Sequence, residues 1–258
     1  MFRKLRILIL LLILASVALA SWRANSRLTA WEHTVHVAIY PVVADASPAT
    51  ARYVAGLTQE RFDAIALWAQ AEAKRYERPV LQPVMVHLAP QVKAMPPEPP
   101  RQGGMFDNML WSLKLRWWAS QHDEIRGPRP QVRLFVLFHD PDLMPTLPHS
   151  LGLSKGQLGV IHAFASTRQA KQNNVVIAHE MLHTFGASDK YDLATSLPRY
   201  PQGYAEPQRQ PLFPQDFAEI MGGRIPLSAQ DVEMPASLDE TLIGSETARE
   251  IGLLRSTR

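Results

Sequence analysis

The chain has 258 residues, 46% of them hydrophobic, which is enough for one substantial core. It has no cysteine, which excludes disulfides, thiolate metal ligands and any cysteine-based latch. The pI of 9.3 invites a nucleic-acid reading. Three of the 27 Lys and Arg residues lie in the first 20 positions, where there is no acid, so 24 basic residues face 24 acidic ones in the rest. With no net charge there, nucleic acid is not an expected partner.

Arg3, Lys4 and Arg6 precede an apolar run over 7–20, the pattern of a secretory n-region and h-region. Ala18-Leu19-Ala20 before Ser21 reads as a small-x-small cleavage site. Residues 1–20 are therefore expected to be a signal peptide or an uncleaved signal anchor, with Trp22 at the membrane interface in the second case. Either way residues 21–258 are expected outside the cytoplasm, and a membrane is a partner only if 7–20 are retained.

Within Trp31–Val43, His36–Tyr40 predicts a first strand closed by Pro41 or soon after, and Asp45–Pro48 a turn. Thr58 can cap a helix to about Tyr76, in which Phe62, Ile65, Ala66, Ala69 and Ala73 follow helical spacing. Val84–Leu88 predicts a second strand, and the proline-rich 95–100 an exposed loop. Asp107–Gln121 predicts a core helix whose tryptophans pack on the sheet, the alternative being a membrane or partner patch. Val132–Phe138 reads as the central strand, with His139-Asp140 at its end, and Leu158–Ala165 as a shorter strand.

Val175–Asp189 contains His179-Glu180-x-x-His183. On a helix the two imidazoles leave one face a turn apart and can share an ion, while Glu180, rotated by about 100°, is better placed to hold a water. Catalytic zinc needs a third protein ligand and an open fourth position. Gly186 is a good helix terminator, so Asp189 lies where the chain can double back to the metal. Asp192, Glu206 and Glu219 are rival third ligands. Ala178, Met181, Leu182 and Phe185 form the apolar face of this helix, and Asn173 or Asn174 can cap it. The other reading of the motif is a buried helix with two hydrogen-bonded histidines and a surface glutamate.

The pattern His-Glu-x-x-His-x-x-Gly-x-x-Asp resembles the metzincin metallopeptidases, in the aspartate variant of snapalysin-like enzymes. Glu219-Ile220-Met221-Gly222-Gly223 is similar to the methionine turn beneath the metal in that clan. No tyrosine follows this turn, so no fifth ligand of that kind is expected. The resemblance covers the active helix and the segment behind it. It implies an α+β, zincin-like fold. An upper lobe over about 31–186 would hold a twisted mixed sheet and two backing helices, and an irregular lower lobe over 187–258 would end in one or two helices after the Ser237–Glu240 capping box. It also implies an antiparallel edge strand along the cleft, placed at Gly159, Val160, Ile161 and His162, where a peptide or protein substrate would pair.

The activity so implied is that of an exported zinc peptidase with one zinc ion on His179, His183 and Asp189. Glu180 would be the general base, with Gly186 and Met221 in structural support. The contrasting expectation is a non-catalytic exported module with a structural zinc site.

Overall fold

The computed structural model describes residues 2–100, 104–125, 127–154 and 156–254. The elements run α1 (Phe2–Leu28), β1 (Val35–Val43), α2 (Pro48–Ala55), α3 (Asp63–Arg75), β2 (Val84–Leu88), α4 (Met105–Gln121), β3 (Val132–His139), β4 (Leu151–Leu153), β5 (Leu158–Phe164) and α5 (Ala170–Phe185). After α5 the described residues form the two-residue strands β6 (Ala218–Glu219), β7 (Ile225–Pro226) and β8 (Val232–Glu233), a 3-10 turn (Leu238–Glu240), β9 (Thr241–Leu242) and α6 (Ser245–Glu250). The fold is α+β, with a mixed sheet, flanking helices and the His-Glu-x-x-His motif on α5, consistent with a zincin-like architecture.

The sheet order is β2-β1-β3-β5-β4, parallel except for β4. Strand alternation divides the interior in two. Val37, Ile39, Leu134, Val136 and Ile161 face α3 and α5, while Ala38, Tyr40, Phe135 and Leu137 face Leu115 and Ala119 of α4. The two backing helices expected from sequence, α3 and α4, thus lie on opposite faces. The buried side of α5 comprises Ala178, Met181, Leu182 and Phe185, which locks the motif helix against the sheet.

Strand β1 closes where expected, at Val43 soon after Pro41, and Pro41 stays in register with Val136 and gives its carbonyl to the Val92 N–H. Several other local expectations are corrected. The turn expected at Asp45–Pro48 starts α2, with Ser47 accepting from the Ala49 N–H and Pro48 in the first helical turn. Thr58 makes no side-chain cap; a 3-10 turn over Gln59–Arg61 precedes α3. In α4 only Leu115 and Ala119 are buried, while Met105, Phe106, Met109, Leu110, Leu113 and Trp117 are exposed, so it is not a core helix. Trp118 does pack edge-on against Phe135.

Residues 2–28 form one helix whose last residue, Leu28, enters the core. Among the described residues no helix is long and apolar enough to cross a membrane. The small-x-small site before Ser21 falls within this helix, and the Trp22 side chain lies outside the described residues. Beyond it, Trp31 donates Nε1–H to the Ile251 carbonyl at 2.8 Å and meets Phe185 edge-on, tying the start of the domain to its last helix.

Candidate metal centre

Helix α5 ends as the sequence requires. Gly186 is left-handed at φ +108°, and its N–H closes onto the carbonyls of Leu182 and His183. A side chain with Cβ resists that conformation, so glycine sets the reversal that returns Asp189 to the helix. The returning segment is pinned from three sides. Glu250 of α6 accepts from the Ser188 N–H (2.9 Å), the Ser188 hydroxyl (2.7 Å) and Lys190 Nζ (2.7 Å). The Lys190 N–H donates to the Met221 carbonyl at 2.9 Å, and Arg199 donates to the Asp189 carbonyl at 2.7 Å. Lys190 and Ser188 outweigh the burial that would raise the Glu250 pKa, and lower it.

The functional atoms converge at the open side of α5. His179, Glu180 and His183 form a metal-ligating cluster with ligand atoms within 4.8 Å of one another. Asp189 Oδ1 is 3.2 Å from His179 Nε2 and 3.2 Å from His183 Nε2, and the two Nε2 atoms are themselves 3.2 Å apart. Both Nδ1 atoms face backbone carbonyls, His179 that of Ile220 at 2.9 Å and His183 that of Ala187 at 2.8 Å. A carbonyl only accepts, so Nδ1 carries the proton in each ring and both Nε2 atoms present lone pairs.

This arrangement tests whether a metal fits. Two imidazole lone pairs and a carboxylate oxygen point at one another with no proton between them, and Asp189 Oδ1 is buried without a hydrogen-bond partner among the described residues. A cation resolves that conflict. With bonds of about 2.0–2.1 Å to zinc, tetrahedral ligands lie about 3.3 Å apart, close to the observed edges. The residues fit a zinc ion, and the cluster is that of a zinc-dependent hydrolase.

Glu180 is buried, not at the surface, and its Oε2 has no hydrogen-bond partner among the described residues. Burial pushes its carboxyl pKa up, against the pull of the two histidines. Burial opposes charge on His179, yet Asp189 and Glu180 outweigh it and raise the imidazole pKa. Burial would also raise Asp189, but His179 and His183 hold it well below the usual carboxylate range.

The turn over Glu219–Gly223 lies behind this centre. Met221 is fully buried, Gly222 and Gly223 both donate to the Glu219 carbonyl at 2.9 Å, and Ile220 supplies the carbonyl that orients His179. Of the rival ligands, Glu206 pairs with Arg209, and Asp192 accepts from the N–H groups of Ala194 and Thr195. Glu219 is wholly buried and accepts from Gly222 N–H, Gly244 N–H and Thr247 Oγ1. It holds the turn to the C-terminal segment.

The expected edge strand is misplaced in the sequence reading. Gly159–His162 belong to β5, an inner strand parallel to β3. Its outer side is taken by β4, by Ser150 Oγ on the His162 N–H, and by Asn173, whose side chain bonds both the N–H and the carbonyl of Phe164. Asn173 therefore does not cap α5, and Asn174 donates to the Arg61 carbonyl instead. The antiparallel edge is β4, reached by a chain segment with no strand periodicity. A Cβ on Gly152 would lie 2.5 Å from both the Glu180 carbonyl oxygen and His183 Cβ, so only glycine lets β4 lie against the motif.

A cleft of about 440 Å³ opens beside the cluster, lined by His179, Glu180, residues 145–150, His162, Tyr191 and the segment 222–224. His162 and His139 are in contact at 2.8 Å, and burial lowers the pKa of both, His162 to about 4. Tyr191, not singled out from the sequence, has its ring centroid 6.3 Å from that of His179. Burial, with help from Asp189 and Glu180, pushes its phenol up to about 12.

No protein-family model and no curated protein matches the chain. Among solved structures it aligns with wild-type OgpA from Akkermansia muciniphila at 10% identity and a TM-score of 0.34. The alignment covers 88% of this chain and 62% of that one. A likeness at that level carries no argument here, and the functional reading stands on the site.

Proposed function

We propose that the protein is an exported zinc peptidase of metzincin type. The observation that carries the reading is the 3.2 Å triangle of His179, His183 and Asp189 with the orphaned Glu180 Oε2 at its side, opening onto the cleft. His179 Nε2, His183 Nε2 and Asp189 Oδ1 would hold the ion. When bound, zinc supplies a Lewis acid for the scissile carbonyl and makes water more acidic. Glu180 takes the proton of the attacking water at Oε2 and returns it to the leaving amine nitrogen. Its burial excludes bulk water from that transfer. Strand β4, at the sheet edge beside the motif, would pair with an extended peptide. The buried turn at Met221 keeps the Ile220 carbonyl under His179 and so fixes the ring. The basic, apolar N-terminus directs the domain out of the cytoplasm, as a cleaved signal or as an anchor.

The test is a zinc count on purified protein with a screen of peptide substrates, repeated for Glu180→Gln. One zinc per chain in both proteins, with hydrolysis reduced about 10²–10⁴-fold in the variant, is expected. Undiminished hydrolysis in Glu180→Gln, or zinc without hydrolysis of any peptide, overturns the peptidase reading. The second outcome would favour the structural-zinc module.

A further inference from the structure

One cationic side chain in the cleft has no part in the chemistry above. Arg224 follows the turn under the metal helix and lines the cleft with Tyr191, Gly222 and Met234. Its Nη1 donates to the Gly223 carbonyl at 2.9 Å and contacts Met234 Sδ at 2.6 Å. Among the described residues it forms no ion pair, and its Nε and Nη2 groups have no hydrogen-bond partner. Among the described residues it is the only Lys or Arg that lines the cleft, and Glu180 is the only carboxylate. That carboxylate is committed to the metal centre. Partial burial lowers the Arg224 pKa, with Tyr191 opposing.

Arg224 is half-buried, and its Nε and Nη2 keep contact with solvent, so both are open to a partner entering the cleft. A guanidinium presents parallel N–H donors that match a carboxylate in bidentate fashion, and free Nε and Nη2 are one such fork. The rest of the cleft wall near it is neutral and largely apolar: Tyr191, Ile220, Met234 and the glycines. An apolar pocket with one polar anchor is the usual form of a specificity site.

Resting on the peptidase reading, we infer that Arg224 selects substrates bearing a carboxylate next to the scissile bond. That carboxylate is either an Asp or Glu side chain or the free C-terminus of the peptide. The role is one of specificity: Arg224 holds the substrate so that its carbonyl meets Glu180 and the metal centre.

The experiment separates this inference from the reading beneath it by measuring binding as well as turnover. Zinc-loaded full-length protein carrying Glu180→Gln is titrated, by fluorescence anisotropy, with matched labelled peptides. One pair is C-terminally amidated and differs only by Asp against Asn. A second pair is neutral and differs only by a free against an amidated C-terminus. One member of a pair should bind roughly ten- to a hundredfold more tightly, as for a charge-assisted hydrogen-bonded pair. The pair that responds identifies the source of the carboxylate. Adding Arg224→Gln should erase the preference with zinc content unchanged, and Arg224→Glu should reverse it towards a Lys-containing peptide. Equal binding within both pairs, or a preference that survives Arg224→Gln, overturns the inference. Should Arg224→Gln fail to fold, the two pairs on the Arg224 protein still decide. Hydrolysis without any acid preference refutes the role of Arg224 and leaves the peptidase reading intact. Arg224-dependent binding of acidic peptides without hydrolysis does the reverse.

Discussion

Gly152→Ala is a sharp test of how closely β4 must lie against the motif helix. The new Cβ would sit 2.5 Å from the Glu180 carbonyl oxygen and 2.5 Å from His183 Cβ. Neither atom can rotate away, since one is helix backbone and the other is the root of a metal-ligand side chain. Ordinary contacts for such atoms are about 3.5 Å, so strand and helix must separate by about 1 Å. Helix α5 is buried along most of its length, whereas β4 is three residues at the sheet edge, paired only with β5. The strand therefore yields. The metal triangle lies wholly on α5 and its following turn, so zinc content should stay at one per chain. What changes is the position of the edge against Glu180, where the Gly152 N–H holds down part of the rise in the carboxyl pKa. A misplacement of about 1 Å costs roughly 10²-fold in rate, and overpacking costs about 1–3 kcal/mol of stability. Peptide hydrolysis at subsaturating substrate, zinc content and thermal melting on one preparation are the measurements. Activity within about threefold of the parent would refute the claim that the edge is set by this contact, and loss of zinc would show that the helix moved instead.

Asp189→Ala should lose zinc and activity, Asp189→His should keep part of the zinc, and Glu206→Ala, whose carboxylate pairs with Arg209, should leave the metal in place; zinc analysis of the three separates the ligands. Gly186→Val places a β-branched residue at φ +108°, which costs at least about 1–2 kcal/mol and should displace Asp189, seen as lower zinc occupancy and melting temperature. His162, with a pKa lowered to about 4 by burial and by His139, binds fewer protons folded than unfolded. Its contribution to stability is present above about pH 6.5 and is lost as pH falls towards 4. His162→Gln should flatten the melting-temperature profile of the metal-free protein across that window, and an unchanged slope would refute it. A reporter fused after Trp22 should lie outside the cytoplasm, with N-terminal sequencing of the product separating a signal cleaved before Ser21 from an anchor; a cytoplasmic reporter would overturn both.

What the sequence determined by itself is what depends on near neighbours along the chain. Four-residue spacing sets His179 over His183 on any helix, a glycine at 186 ends that helix by reversing its path, and the β-rich runs at 84–88 and 132–138 are strands wherever they sit. Those are short-range rules of backbone geometry. The tertiary structure decided everything that needs two distant segments to meet. Which strand forms the edge depends on a three-residue piece, 151–153, too short for any periodicity and held by β5. Asn173 looked like a cap because asparagine is one in isolation, but Phe164 of β5 arrives to claim its amide. The apolar stripe of α4 predicts a core helix, yet hydrophobicity does not say which face meets a sheet; Leu115 and Ala119 are buried there and Trp118 packs on Phe135, while Met109, Leu110, Leu113 and Trp117 are exposed. Glu250, Arg224 and Gly152 carry no local signature. They gain meaning only because the chain folds them against Ser188, the cleft and Glu180, contacts made across gaps of tens of residues that sequence spacing does not encode.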